Sequence, residues 1–72
     1  MKPIESVQEA ITLLGRYTGA PEDFLLPISD SLLDPAGINM AIITDKVLAL
    51  GWEPNGFTQN QGFRVYRYKE MQ

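Results

Sequence analysis

The spacing of apolar residues changes at Gly51, and this change constrains the fold more than any other feature of the chain. Before Gly51, apolar residues recur at the three- and four-residue steps of a helix. After it, the two-residue step of a β-strand takes over. The sequence therefore predicts an α+β domain in which a helical body is followed by a C-terminal two-stranded antiparallel β-hairpin.

A first helix is predicted over 4–17. Ser6 and Glu9 have the S-x-x-E spacing of a capping box, in which the two side chains bind free amides at the start of a helix. Apolar residues at helical spacing then form one stripe, which consists of Ile4, Val7, Ile11 and Leu14. This stripe is expected to face the core.

The segment 22–33 has a mixed pattern. Pro21 suits the start of a helix, and Glu22 and Asp23 complement the positive end of the helix dipole. Pro27 follows shortly afterwards and would break a continuing helix. We therefore predict short helical turns here, which connect two longer helices and contribute core side chains.

The longest helix is predicted over 35–50. Asp34 suits the N-cap, Pro35 suits the first helical position, and Gly51 ends the pattern. One apolar stripe on this helix consists of Met40, Ile43, Val47 and Leu50. A second apolar flank lies on another side of the helical wheel and consists of Ile38, Ile42, Ala49 and Trp52. A helix that is apolar on two sides is usually covered on both.

The hairpin is predicted from strands over 52–58 and 63–69. Pro54 and Gly56 indicate an edge position or a bulge in the first strand. Gly62 supplies the positive φ that the connecting turn needs. The second strand is rich in aromatic and β-branched residues, which favour strands.

Two motifs stand at the end of the long helix and in the second strand of the hairpin. They are KVLALGW at 46–52 and GFRVYRY at 62–68. Together they resemble the winged-helix domain, and in particular the small winged-helix modules near the ends of phage-type primases and replication proteins. The resemblance covers the last third of the chain. It implies a small winged-helix-like fold whose hairpin, the wing, contacts nucleic acid.

The composition excludes most catalytic and metal-binding classes. The 72 residues include no cysteine and no histidine, so disulfides, zinc sites, cysteine nucleophiles, histidine bases and catalytic triads are excluded. The carboxylates suit helix starts, and their spacing does not match a calcium loop. We therefore predict one domain over 1–72 that is not an enzyme and has no catalytic residue, metal or cofactor.

The N-terminal segment carries charges where a signal peptide would be apolar. Glu5 and Glu9 fall within that segment. No run of residues approaches the ~20 apolar positions of a membrane span. We expect a cytoplasmic protein without a membrane partner.

The formal net charge of −3 conceals an uneven distribution. The chain before the hairpin is acidic, whereas the hairpin holds three cations, Arg64, Arg67 and Lys69. Alternation along a strand places Arg64 with Tyr66 and Tyr68 on one face, and Arg67 with Lys69 on the other. Cations can bind phosphates and tyrosine rings can stack on bases.

The first functional hypothesis is therefore a DNA- or RNA-contacting accessory protein that uses these five hairpin residues. The cations would contact the nucleic-acid backbone, and Tyr66 or Tyr68 would stack. The alternative for the same residues is structural. The tyrosines would then pack on the helices, and the cations would protect an exposed sheet edge.

The second functional hypothesis is a protein-interaction module or small regulator. Its surface would be the apolar flank of the long helix, formed by Ile38, Ile42, Ala49 and Trp52. Exposed apolar patches mark interaction sites, and tryptophan is a frequent interface anchor. The partner would be another protein or a second copy in a homodimer. Alternatively, the flank is covered from within by Phe24, Leu32, Leu33 and the hairpin.

Overall fold

The computed structural model describes residues 2–16 and 24–71. In chain order its elements are helix α1 (Val7–Leu14), strand β1 (Phe24–Ser29), a short 3-10 helix (Asp30–Leu32), helix α2 (Ile38–Ala49), strand β2 (Trp52–Asn60) and strand β3 (Phe63–Glu70). The strands form one antiparallel sheet in the order β1-β3-β2. The architecture is α+β, but the predicted two-stranded sheet is wrong because a third strand joins the hairpin.

The additional strand lies in the segment predicted as short helical turns. β1 pairs with β3 from Phe24 opposite Tyr68 to Ser29 opposite Phe63. The predicted turns are present only as the 3-10 helix that follows β1, and positions 22 and 23 lie outside the described residues. The sheet therefore contains a strand drawn from between the two helices.

Pro27 is compatible with β1 because its backbone N and C=O point away from the partner strand β3. Its carbonyl accepts a hydrogen bond from the Ile4 amide (2.7 Å), and the Ser29 amide donates to the Ile4 carbonyl (2.9 Å). The missing N–H of Pro27 therefore faces the Ile4 segment, so that β1 loses no hydrogen bond to β3. Ile4 forms a parallel bridge with Ile28.

Helix α1 begins at Val7, later than predicted, because the chain around Ile4 is extended beside β1. Ser6 caps the helix, since its Oγ accepts from the Glu9 amide (3.1 Å). The Glu9 carboxylate in turn accepts from the amide of Glu5 (3.3 Å), one residue before the cap. The helix ends at Leu14 with Gly15 as its C-cap, earlier than the predicted end at position 17, which itself lies outside the described residues.

Helix α2 begins at Ile38 rather than at Pro35. Pro35 lies in a turn that closes where the Gly37 amide donates to the Asp34 carbonyl (3.0 Å). The Asp34 carboxylate reaches across this turn and accepts from the amides of Ile38 (3.0 Å) and Asn39 (3.1 Å). The predicted N-cap position of Asp34 is therefore wrong, since Gly37 occupies it, but the Asp34 carboxylate still caps the first turn from three residues further back. The same two hydrogen bonds lower the pKa of Asp34 below its ordinary value.

The hairpin strands are longer than predicted, and only Gln61 and Gly62 separate them. Gly62 supplies the predicted positive φ, 74°, in this turn, a left-handed conformation that glycine adopts without strain. In β2 the pairing with β3 skips between Pro54 and Phe57, and Gly56 in this bulge has a φ of 89°. The bulge and the edge position that Pro54 and Gly56 indicated are both present in β2.

The core lies between the two helices and one face of the sheet. Its largest fully buried side chains are Leu14, Leu26, Ile28, Ile43, Val47 and Tyr68. From α2 it receives the middle of the predicted first stripe, Ile43 and Val47, while Met40 and Leu50 are half-buried beside them. The core is thus filled from β1 and β3 as well as from both helices.

Replacement of Ile43 by alanine tests the orientation of α2. Ile43 is fully buried, whereas the neighbouring Ile42 is 44% exposed. We expect Ile43→Ala to lower the free energy of unfolding by about 2–5 kcal/mol, and the matched control Ile42→Ala to change it by about 0.5 kcal/mol or less. Urea unfolding measures both values. Equal losses in the two variants would contradict this orientation of the helix.

Asp34→Ala tests the cap of α2 and its pH dependence. Because the pKa of folded Asp34 lies below its ordinary value of 3.8, the stabilisation is complete above that pH. It is lost as the pH falls through the lower folded-state pKa. We therefore expect Asp34→Ala to be less stable than the wild type at neutral pH, with a difference that shrinks in acid. Thermal unfolding at several pH values measures this difference. Asp45→Ala, which removes an exposed carboxylate without removing a cap, should show no such loss at neutral pH.

Candidate functional site

The five hairpin residues considered for nucleic-acid binding are divided between the two faces of the sheet. Tyr68 is buried and Tyr66 packs against the core, so their face of β3 is directed towards the helices. Arg64 alternates with them on that same face. Arg67 and Lys69 occupy the opposite, outer face and are exposed. The three cations therefore do not form a single patch.

Tyr68 belongs to an aromatic cluster inside the protein. Its side chain is 1% exposed, and its ring stacks on Phe24 with a centroid separation of 5.2 Å. Trp52 packs against Phe24 in an edge-on geometry, with the two ring centroids 4.7 Å apart, and is 2% exposed. Burial raises the pKa of Tyr68 to about 12, and the charge of Tyr66 adds to this. Neither Tyr68 nor Trp52 presents its ring to a partner at the surface.

Arg64 is packed on an aromatic ring. Its guanidinium carbon lies 5.0 Å from the centroid of Phe57, and the Phe57 ring lies 5.5 Å from that of Tyr66. The Arg64 Nε is buried without a hydrogen-bond partner. Phe57 itself is exposed. Its position after the bulge in an edge strand is the sequence signal that could have identified it as the aromatic neighbour of Arg64. These contacts hold Arg64 against the protein and reduce its reach towards a phosphate.

On the outer face, one of the two cations is already paired. Lys69 Nζ lies 3.3 Å from Glu53 Oε1, an exposed ion pair between β3 and β2. Arg67 lines a shallow pocket of about 230 Å³ beside Gly56, at the bulge where Arg67 has no register partner in β2. The other lining residues are Leu25, Asn55, Phe57, Thr58 and Val65. A pocket with one cation and no carboxylate offers no acid/base pair.

Helix α2 carries an exposed apolar surface on the side away from the sheet. Ile38 is 60% exposed, Ile42 is 44% exposed and Leu48 is 42% exposed. We define the outward face of α2 as the exposed residues Ile38, Ala41, Ile42, Asp45, Leu48 and Ala49. It contains three of the four residues predicted for a protein interface. The fourth, Trp52, is directed into the core because the chain reverses at Gly51, whose φ is 91°.

Asp45 lies in the middle of this face. At 100° per residue, Ile38, Ile42 and Ala49 lie on one side of Asp45, and Ala41 and Leu48 lie on the other. Asp45 is the only charged member of the face, since Lys46 is half-buried at its margin. Ala41 and Leu48 were not predicted as part of an interface, because tertiary packing decides how much of the circumference of α2 the core covers. Their signal is the 41, 45, 48 helical spacing.

Comparison with known proteins finds no family model, curated protein or solved structure that matches this chain. The winged-helix resemblance therefore stays a prediction. Within residues 2–16 and 24–71, no helix is long and apolar enough to cross a membrane. The same residues contain no group of three or more acidic side chains placed to hold a metal ion.

Alkaline unfolding tests the burial of Tyr68. Its pKa is about 12 in the folded protein and 10 ordinarily, so the folded state retains a proton that the unfolded state loses. The free energy of unfolding should therefore fall as the pH rises from 10 towards 12. Urea titrations across this interval should show the fall in the wild type, most of it in the control Tyr66→Phe, because burial is the larger cause, and a much smaller fall in Tyr68→Phe. An identical fall in all three proteins would contradict the burial of the Tyr68 hydroxyl.

Proposed function

We propose that this protein is a non-enzymatic protein-interaction domain whose binding surface is the outward face of α2. The observation that supports this function is an unusual division of the helix. Ile43 and Val47 hold α2 on the core, yet the opposite side exposes five apolar residues and a single charge. Surface helices normally place polar residues on that side. Contiguous exposed apolar surface marks interaction sites.

The apolar surface is large enough to contribute to affinity. Ile38, Ile42 and Leu48 each have roughly half of the side chain in water. Covering the exposed part of one such side chain contributes about 1 kcal/mol. Three of them near the centre of an interface favour binding by about 3 kcal/mol before the polar rim and the ordering costs are counted.

A second copy of the chain is a poor occupant for this surface. Any two-fold pairing through the outward face would bring two Asp45 carboxylates into the same interface, and no cation of that face lies between them. Burying two like charges without a partner is strongly unfavourable. The proposed partner is therefore a different protein.

Nucleic-acid binding through the hairpin has weaker support. Arg64 lies over Phe57 on one face, Arg67 is alone on the other, and Lys69 is paired with Glu53. Affinity for nucleic acid depends on several simultaneous phosphate contacts. One unpaired cation on each side of a sheet supplies few of them.

An NMR titration of the labelled protein distinguishes the two functions. One probe is a synthetic helical peptide of about three to four turns with a leucine face, and the other is a short DNA duplex at low and high salt. We expect the peptide to shift amides of Ile38–Ala49, and the duplex to shift no amides of β3. Duplex shifts in β3 that weaken with salt, together with no peptide shifts in α2, would contradict the proposed function.

A matched pair of variants locates the contact. Ile42 is 44% exposed on α2, and Leu25 is 43% exposed on the outer face of the sheet. Ile42→Thr should weaken peptide binding roughly fivefold, as expected for about 1 kcal/mol of lost burial. Leu25→Thr should leave the dissociation constant unchanged. Equal weakening by both variants would show that the peptide binds without using α2 specifically.

A further inference from the structure

We infer that the partner of the outward face is an amphipathic helix with one lysine or arginine in the middle of its apolar side, where it meets Asp45. This inference rests on the proposed function, because it specifies the partner of the same surface. It follows from the position of one carboxylate within an aliphatic face.

Asp45 decides which partners are tolerated. Apolar residues lie on both sides of it around the helix, so any partner that covers Ile42 and Leu48 also removes water from its carboxylate. An ionised carboxylate in an apolar interface is costly unless a cation or a hydrogen-bond donor replaces that water. A lysine or arginine restores the lost interaction through a charge-assisted hydrogen bond.

No cation of the described chain satisfies this need internally. Among residues 2–16 and 24–71, the ion pair present joins Glu53 and Lys69 and does not include Asp45. Lys46 follows Asp45 directly and is therefore turned about 100° away from it. The net charge of −3 also favours the approach of a basic segment.

The pattern of side-chain sizes favours a helix as the bound element. Large residues, Ile38, Ile42 and Leu48, are accompanied by small ones, Ala41 and Ala49, at three-, four- and seven-residue steps. Such alternation forms the ridges and grooves through which two helices pack. The twelve residues of α2 extend about 18 Å, which matches three to four turns of a partner with apolar residues at helical spacing.

The test uses three peptides on one scaffold, identical except for a central Lys, Gln or Glu. Dissociation constants for the full chain are measured by calorimetry at two salt concentrations. We expect the wild type to bind the Lys peptide most tightly and the Glu peptide least tightly, with roughly a tenfold difference between these two. The order should persist at the higher salt, with a smaller spread.

Charge reversal on the protein assigns the preference to one residue. Asp45→Lys should invert the order, so that the Glu peptide binds most tightly, and Asp45→Asn should bring the three peptides close together. Glu70→Lys is the matched control, because it makes the same change in net charge at an exposed position on β3. It should retain the wild-type order. Amide spectra of each variant establish that it is folded before binding is measured.

The outcomes separate this inference from the proposed function. Equal binding of all three peptides, with weakening by Ile42→Thr, would overturn the inference and leave the function in place. Equal effects of Asp45→Lys and Glu70→Lys would also overturn it, because the preference would then reflect net charge alone. No peptide binding at α2 would overturn the proposed function itself. Self-association of the wild type through α2 would replace the foreign partner with a second copy.

Discussion

The fold depends on one aromatic contact that joins all three strands. Phe24 at the start of β1 stacks on Tyr68 of β3 and meets the edge of Trp52 at the start of β2. These rings lie against the side chains that the helices direct inward, including Ile43 and Val47. Aromatic pairs in such geometries stabilise a core beyond the area that they bury. In a chain without disulfides, this cluster holds the hairpin to the helical body.

The same cluster determines which surfaces remain for function. Tyr68 and Trp52 are buried in this cluster. They are therefore absent from the two predicted binding surfaces, the hairpin face and the apolar flank of α2. The hairpin is left with cations on opposite faces, and α2 is left with an aliphatic side and no aromatic anchor. Because the small core uses these large rings, the candidate binding site lies on α2 and not on the hairpin strands.

The parts that could be predicted from the sequence are those with local causes. Ser6 and Asp34 cap helices through amides only a few residues away, and the bulge at Gly56 follows from a glycine in an edge strand. β1 could not be predicted in this way. Its sequence, FLLPIS, has no two-residue alternation, and its stability comes from β3 and from Ile4, both distant along the chain.

The candidate site shows the same limit. Ile38, Ile42 and Ala49 follow from the helical wheel, and the structure leaves them exposed. The wheel could not place Trp52, since one backbone angle at Gly51 decides whether its indole faces the solvent or the core. Nor could it indicate that Asp45 lies at the centre of the exposed side, because that centre is defined by which residues the sheet covers.

The two edges of the sheet have a consequence for how this protein meets other molecules. The free side of β1 is occupied towards its C-terminal end by the backbone of Ile4, which bonds to Pro27 and Ser29. The free side of β2 is interrupted by Pro54, which cannot donate, and by the bulge at Gly56. Within the described residues, neither edge presents a long regular ladder, and short or interrupted edges disfavour strand addition by another chain. These interrupted edges therefore disfavour recognition through an added strand, which agrees with the proposed recognition through side chains on a helix.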